Sequence, residues 1–111
     1  MLPKEFETAL HLILERLNGL PEAWALTGSV GMVLQGMPLE VHDIDLQTSP
    51  LGAVQIQQRL EAWMSAAVRQ VDSPNMRSLL GKAVVQGVEV EIIGGVQKRL
   101  ENGEWEEPVN V

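Results

Sequence analysis

Cysteine is absent from this 111-residue chain, so neither a disulfide framework nor a thiolate metal site is open to it. Aromatic residues are scarce. Phe6, Trp24, Trp63 and Trp105 are the full set, which leaves little surface for stacking the bases of a single strand and implies a mostly aliphatic core. Positive charge is also in short supply: Lys and Arg number 8 against 15 Asp and Glu, a formal charge of −7. Non-specific binding to DNA or RNA requires many cationic contacts to phosphates, so an extensive nucleic-acid surface is excluded, whereas a small nucleotide carried in with magnesium is not. No apolar run approaches the ~20 residues that a membrane helix needs, and residues 1–7 carry no signal-peptide pattern. A cytoplasmic protein without a membrane partner is expected.

What is present is ordinary globular material, 45% apolar and 21% charged. The length predicts a single domain over residues 1–111, with any second domain supplied by another chain. Phe6, Leu10, Ile13, Leu14 and Leu17 recur at helical spacing between Pro3 and Asn18-Gly19, which predicts a first amphipathic helix. Residues 24–27 read as a short buried strand broken at Gly28. Residues 29–35 then place Val30, Val33 and Leu34 on one helical face, and Gly36 ends that helix. After a connection over residues 37–42 comes a second strand, 44–47. Ser49 as N-cap and Pro50 at the first helical position open another helix, expected to carry Val54, Leu60, Trp63, Met64 and Ala67. A strand beginning in 68–71, a loop at 72–75, and two arms, 79–85 and 88–93, hinged at Gln86-Gly87 complete the reading. Beyond Gly94-Gly95, Asn102-Gly103 marks a turn between polar arms. Glu101, Glu104, Glu106 and Glu107 form a solvated face there, with Trp105 among them as a candidate partner anchor.

Two features carry chemistry. Side chains alternate along a strand, so Asp43 and Asp45 project one way while Ile44 and Leu46 point to the core. Two carboxylates this close repel. One takes up a proton, or both share a cation, and hard oxygen ligands suit a magnesium ion that also holds phosphates. Upstream, Gly28-Ser29 joins a strand to a helix. Glycine lets the backbone approach an anion closely, the helix start presents unpaired N–H groups, and Ser29 adds a hydroxyl donor. In the later strand, alternation sets Val88, Val90 and Ile92 on one side and Glu89, Glu91 and Ile93 on the other, offering a further carboxylate. Taken alone, a Gly-Ser pair is often only a turn and cap. An Asp-x-Asp pair is also compatible with a solvated strand face, a calcium-loop fragment, or the metal pair of a sugar-nucleotide glycosyltransferase; the last needs a longer Rossmann-type region than the 42 residues preceding Asp43.

In order, Leu26-Thr27-Gly28-Ser29, Asp43-Ile44-Asp45-Leu46 and Gly87-Val88-Glu89-Val90-Glu91-Ile92-Ile93 resemble the nucleotidyltransferase superfamily, the minimal polymerase-beta-like domain, over residues 24–93. The resemblance implies an α/β (α+β) fold with a mixed sheet flanked by helices. It implies Asp43, Asp45 and Glu91 as catalytic and metal-binding residues for two Mg2+ ions, with Glu89 as the substitute for Glu91. It implies Gly28 and Ser29 as the residues holding the terminal phosphates of a nucleoside triphosphate. The expected reaction moves a nucleoside monophosphate to a hydroxyl of an unidentified acceptor. The alternative is an inactive nucleotide-binding or protein-interaction module of the same fold, such as one half of a toxin-antitoxin pair with a helical partner protein, or a homo-oligomer. His42, beside the acidic pair, reads as a loop residue and His11 as a surface one. Arg77 and Lys82 are candidate counter-charges to the triphosphate, and Gly31 reads as a packing glycine.

Overall fold

The computed structural model describes residues 2–107, so residues 108–111 of the polar tail lie outside the described residues. The apolar spacing near the start becomes α1 (Lys4–Leu17), which buries Ala9, Leu10, Ile13 and Leu17. Leu14 lies off that stripe at 44% exposure, so the buried face is narrower than the sequence pattern suggests. The chain then runs through β1 (Trp24–Thr27), α2 (Gly28–Leu34) and β2 (Ile44–Thr48), matching the strand, turn, helix and strand read from the sequence. Leu34, expected on the buried side of α2, is 54% exposed, and Gly31 takes the packing position instead. A Cβ on Gly31 would meet the Leu26 carbonyl oxygen at 2.7 Å, so glycine there is what lets α2 lie directly on β1.

Ser49 caps α3 (Pro50–Arg59), its Oγ accepting from the Gly52 N–H at 3.0 Å. The helix stops earlier than expected. Leu60 is fully buried at its end, a 3-10 turn covers residues 61–63, and β3 (Met64–Asp72) takes Met64 and Ala67 out of the helix. Helix propensities differ by only about 0.7 kcal/mol per residue between ordinary side chains. Pairing of β3 along β4 (Met76–Val85) outweighs that local preference. The β3 to β4 ladder shifts register after Met64 and again after Ala66, which also disguises the strand as a pattern. Gln86-Gly87, with φ of 52 and 78 degrees, forms a tight two-residue hairpin into β5 (Val88–Lys98). β5 continues through Gly94-Gly95, past the end expected for it.

The five strands form one mixed sheet in the order β1-β2-β5-β4-β3, with β2 parallel to β5 and the other pairs antiparallel. Alternation divides its faces. Ile44, Leu46, Ala83, Val85, Val90 and Ile92 are buried in one cluster with residues of α1, α2 and α3. Between them, Asp45 and Glu91 are half-buried and Lys82 and Glu89 are exposed on the opposite face. Burying an aliphatic side chain contributes roughly 1.5–3 kcal/mol, so the apolar members fix the strand phase and thereby decide where the acids point. Among the described residues, no helix is long and apolar enough to cross a membrane.

Candidate active site

β2 and β5 run parallel with Asp45 opposite Glu91, and β1 pairs on the other side with Thr27 opposite Asp45. Asp43 stands one residue before β2, not inside it, yet the chain is already extended enough to bring it to the same place. As a result Asp43, Asp45 and Glu91 each offer a carboxylate oxygen within 4.8 Å of the other two. All three are half-buried. Glu89 is exposed and outside this cluster, so of the two glutamates considered it is Glu91 that the register brings to Asp45.

Gly28 completes the arrangement. It has φ of +66 degrees, and a Cβ built on it would overlap Asp45 Oδ2. The turn therefore requires glycine twice, for its left-handed backbone and for the carboxylate lying against it. Ser29 follows in the first turn of α2. Its Oγ accepts the His42 backbone N–H at 3.2 Å, tying the start of α2 to the loop that delivers Asp43. The structure thus gathers Asp43, Asp45 and Glu91 beside Gly28 and Ser29, and His42 joins them through its backbone, whereas Glu89 lies outside the cluster and Arg77 is engaged with Gln97 and Trp105. The His42 contact has no sequence signal, because any residue but proline at position 42 supplies the same N–H.

The electrostatics are unbalanced. The Asp45 carboxyl is pushed up from its ordinary 3.8 to about 6, first by burial and then by the negative charges of Asp43 and Glu91. Its Oδ1 is buried and has no hydrogen-bond partner among the described residues. A buried carboxylate oxygen without a donor is unfavourable unless a proton or a cation supplies one. Three carboxylates that crowd to one point, one of them incompletely solvated, are a donor set suited to a hard divalent cation. The residues present therefore fit a magnesium site. Lys82, the cross-strand partner of Glu91 on β4, is exposed on the same sheet face. Counting back from the two-residue turn at 86–87 predicts that pairing from the sequence.

Comparison with known proteins agrees with this geometry. Residues 9–111 match the family described as aminoglycoside-2''-adenylyltransferase. The fold also matches the crystal structure of a Thermotoga maritima protein provisionally assigned as a nucleotidyltransferase, with a TM-score of 0.94 and 40% sequence identity over 98% of this chain and 68% of that one. No curated protein matches the chain. A five-stranded mixed sheet that gathers its acids beside a glycine turn, together with a family match over nearly the whole length, leads to one assignment: the chain belongs to the aminoglycoside-2''-adenylyltransferase family, within the nucleotidyltransferase superfamily.

Proposed function

We propose that the protein transfers a nucleoside monophosphate from a magnesium-bound nucleoside triphosphate to a hydroxyl group of an acceptor. The family's description favours ATP as donor and an aminoglycoside as acceptor. One observation carries the reading: the carboxylates of Asp43, Asp45 and Glu91 meet within 4.8 Å, against the glycine turn that opens α2. These three side chains would hold two magnesium ions, which when bound neutralise the triphosphate and polarise the phosphorus under attack.

The other roles fall to the chain itself. Gly28 lets Asp45 lie against the turn, and the free backbone N–H groups that open α2 would take the terminal phosphates. Ser29 Oγ already accepts from His42, which leaves its own hydroxyl hydrogen free to donate to a phosphate oxygen. The acceptor oxygen forms a bond to the α-phosphorus as the bond from that phosphorus to the leaving pyrophosphate breaks. Glu91, one strand farther from the turn than Asp45, takes the hydroxyl proton on its carboxylate. The charge of −7 supports a cationic acceptor, since a negative surface raises the encounter rate of a polycation.

Thermal unfolding with ATP, CTP, GTP or UTP, with and without magnesium, tests the reading. Nucleotide at a hundred times its Kd adds about 2.7 kcal/mol, so the parent protein should melt several degrees higher only when metal and nucleotide are both present. Asp43→Asn combined with Asp45→Asn should abolish the shift. Pyrophosphate release should then appear on adding an aminoglycoside. A melting point that no nucleotide moves under any metal condition rules the proposal out.

A further inference from the structure

We propose that Lys82 contacts the phosphoryl group in transit, from the side of the carboxylate cluster opposite Gly28-Ser29; this rests on the transferase reading above. The register sets out a single row across the sheet, Thr27, Asp45, Glu91 and Lys82, each paired to the next on β1, β2, β5 and β4. Register partners point to the same face of a sheet. Gly28 follows Thr27 directly, so the row begins at the phosphate turn, passes two of the three carboxylates and ends at a cation.

Lys82 is not consumed by its neighbours. A lysine directly opposite a glutamate in an antiparallel pair ordinarily closes an ion pair, and here Glu89 also lies diagonally across from it. Among the described residues, however, Lys82 forms no ion pair, the one within 4.0 Å being His11 with Glu15. Lys82 is exposed. Reach is sufficient. Strands lie about 4.8 Å apart, which puts the Lys82 backbone about 10 Å from that of Asp45, and the flexible four-carbon stem of lysine can lean across part of that distance. Leaning along the row, the head group can reach the space beside Glu91 at the edge of the cluster. With the terminal phosphates held at the turn, the α-phosphate would fall between the turn and Lys82. An ammonium there stabilises charge on its non-bridging oxygens as the bond to pyrophosphate lengthens. Ser65, Lys82, Glu89 and Glu91 line one small cleft on that side.

Isothermal titration of the full chain with two probes, magnesium α,β-methylene-ATP and magnesium pyrophosphate, decides the matter. Lys82→Met should weaken the methylene analogue about tenfold, the loss expected for one charge-assisted contact, while pyrophosphate affinity stays within twofold. Lys82→Arg should recover part of the loss. Because Lys82 is exposed, both variants should melt close to the parent. Equal affinity of the parent and Lys82→Met for the methylene analogue overturns the assignment, as does an equal weakening of both probes. A parent protein that binds neither probe overturns the transferase reading itself, and the Lys82 role with it.

Discussion

The two ends of the parallel β2–β5 pair are built on opposite principles. At the end where β2 leaves for α3, polar groups are matched. Thr48, fully buried, donates to the Ala23 carbonyl at 2.8 Å, and Ser49 caps α3. Nearby, Gln97 accepts from the Arg77 guanidinium at 2.8 Å and donates to the Glu106 carbonyl at 2.7 Å. Arg77 also lies over the Trp105 ring, 4.6 Å from its centre. At the other end, two strides along the same strands, three carboxylates face one another and one oxygen has no partner. Identical backbone pairing supports both. The satisfied end holds the fold together, and the unsatisfied end stores an electrostatic cost that only a cation or a proton removes.

Gly28→Ala should strike the unsatisfied end hardest. The substitution forces a Cβ into a left-handed backbone, at about 1–2 kcal/mol, and drives it into Asp45 Oδ2. Displacing a catalytic group by about 1 Å can cost 100-fold in rate, and a loss of that order in pyrophosphate release is expected beside a modest drop in melting point. A folded Gly28→Ala protein with parental magnesium-nucleotide binding would show that the contact between turn and carboxylate is incidental.

Thr48→Val makes the converse change at the satisfied end. It removes the donor to Ala23 while nearly conserving shape, and a buried acceptor left short of its hydrogen bond is worth about 1–2 kcal/mol. At about 4 °C or more per kcal/mol for a domain of this size, the melting point should fall clearly. Nucleotide affinity and turnover at a permissive temperature should not change. If turnover falls in step with stability, the two ends are not independent.

Local signals made the unsatisfied end readable and left much of the rest hidden. Gly28 interrupts an apolar strand, and the period of two in 43–46 and 88–92 shows which carboxylates share a face, because buried Ile44, Leu46, Val90 and Ile92 admit only one phase. Even the Lys82 to Glu91 pairing follows from counting back through the Gln86-Gly87 turn. The start of β3 does not. Met64 to Ala67 favours helix locally, and only pairing with a strand more than ten residues away makes it extended. The tie from His42 to Ser29 is equally invisible, since it uses a backbone N–H brought home by the whole α2–β2 connection.

The smallest expected effect concerns pH in the absence of metal. Asp45 ionises at about 6 in the folded protein against an ordinary 3.8. Below the lower value the group is protonated in both folded and unfolded chains and contributes nothing to the pH dependence. Between the two values the unfolded chain has lost the proton and the folded one keeps it. Stability therefore falls as pH rises through that window and stays reduced above it. Asp45→Asn carries no such proton, so in EDTA its melting point relative to the parent should climb by a few degrees between pH 4 and pH 7, the difference cancelling the titration of carboxylates remote from the cluster. Magnesium at pH 7 should raise the parent and leave Asp45→Asn nearly unmoved, because the cation relieves the same repulsion that the substitution removes. A pH-independent difference between the two proteins would mean that Asp45 is already relaxed in the fold, and the contrast between the ends of β2 would lose its electrostatic basis.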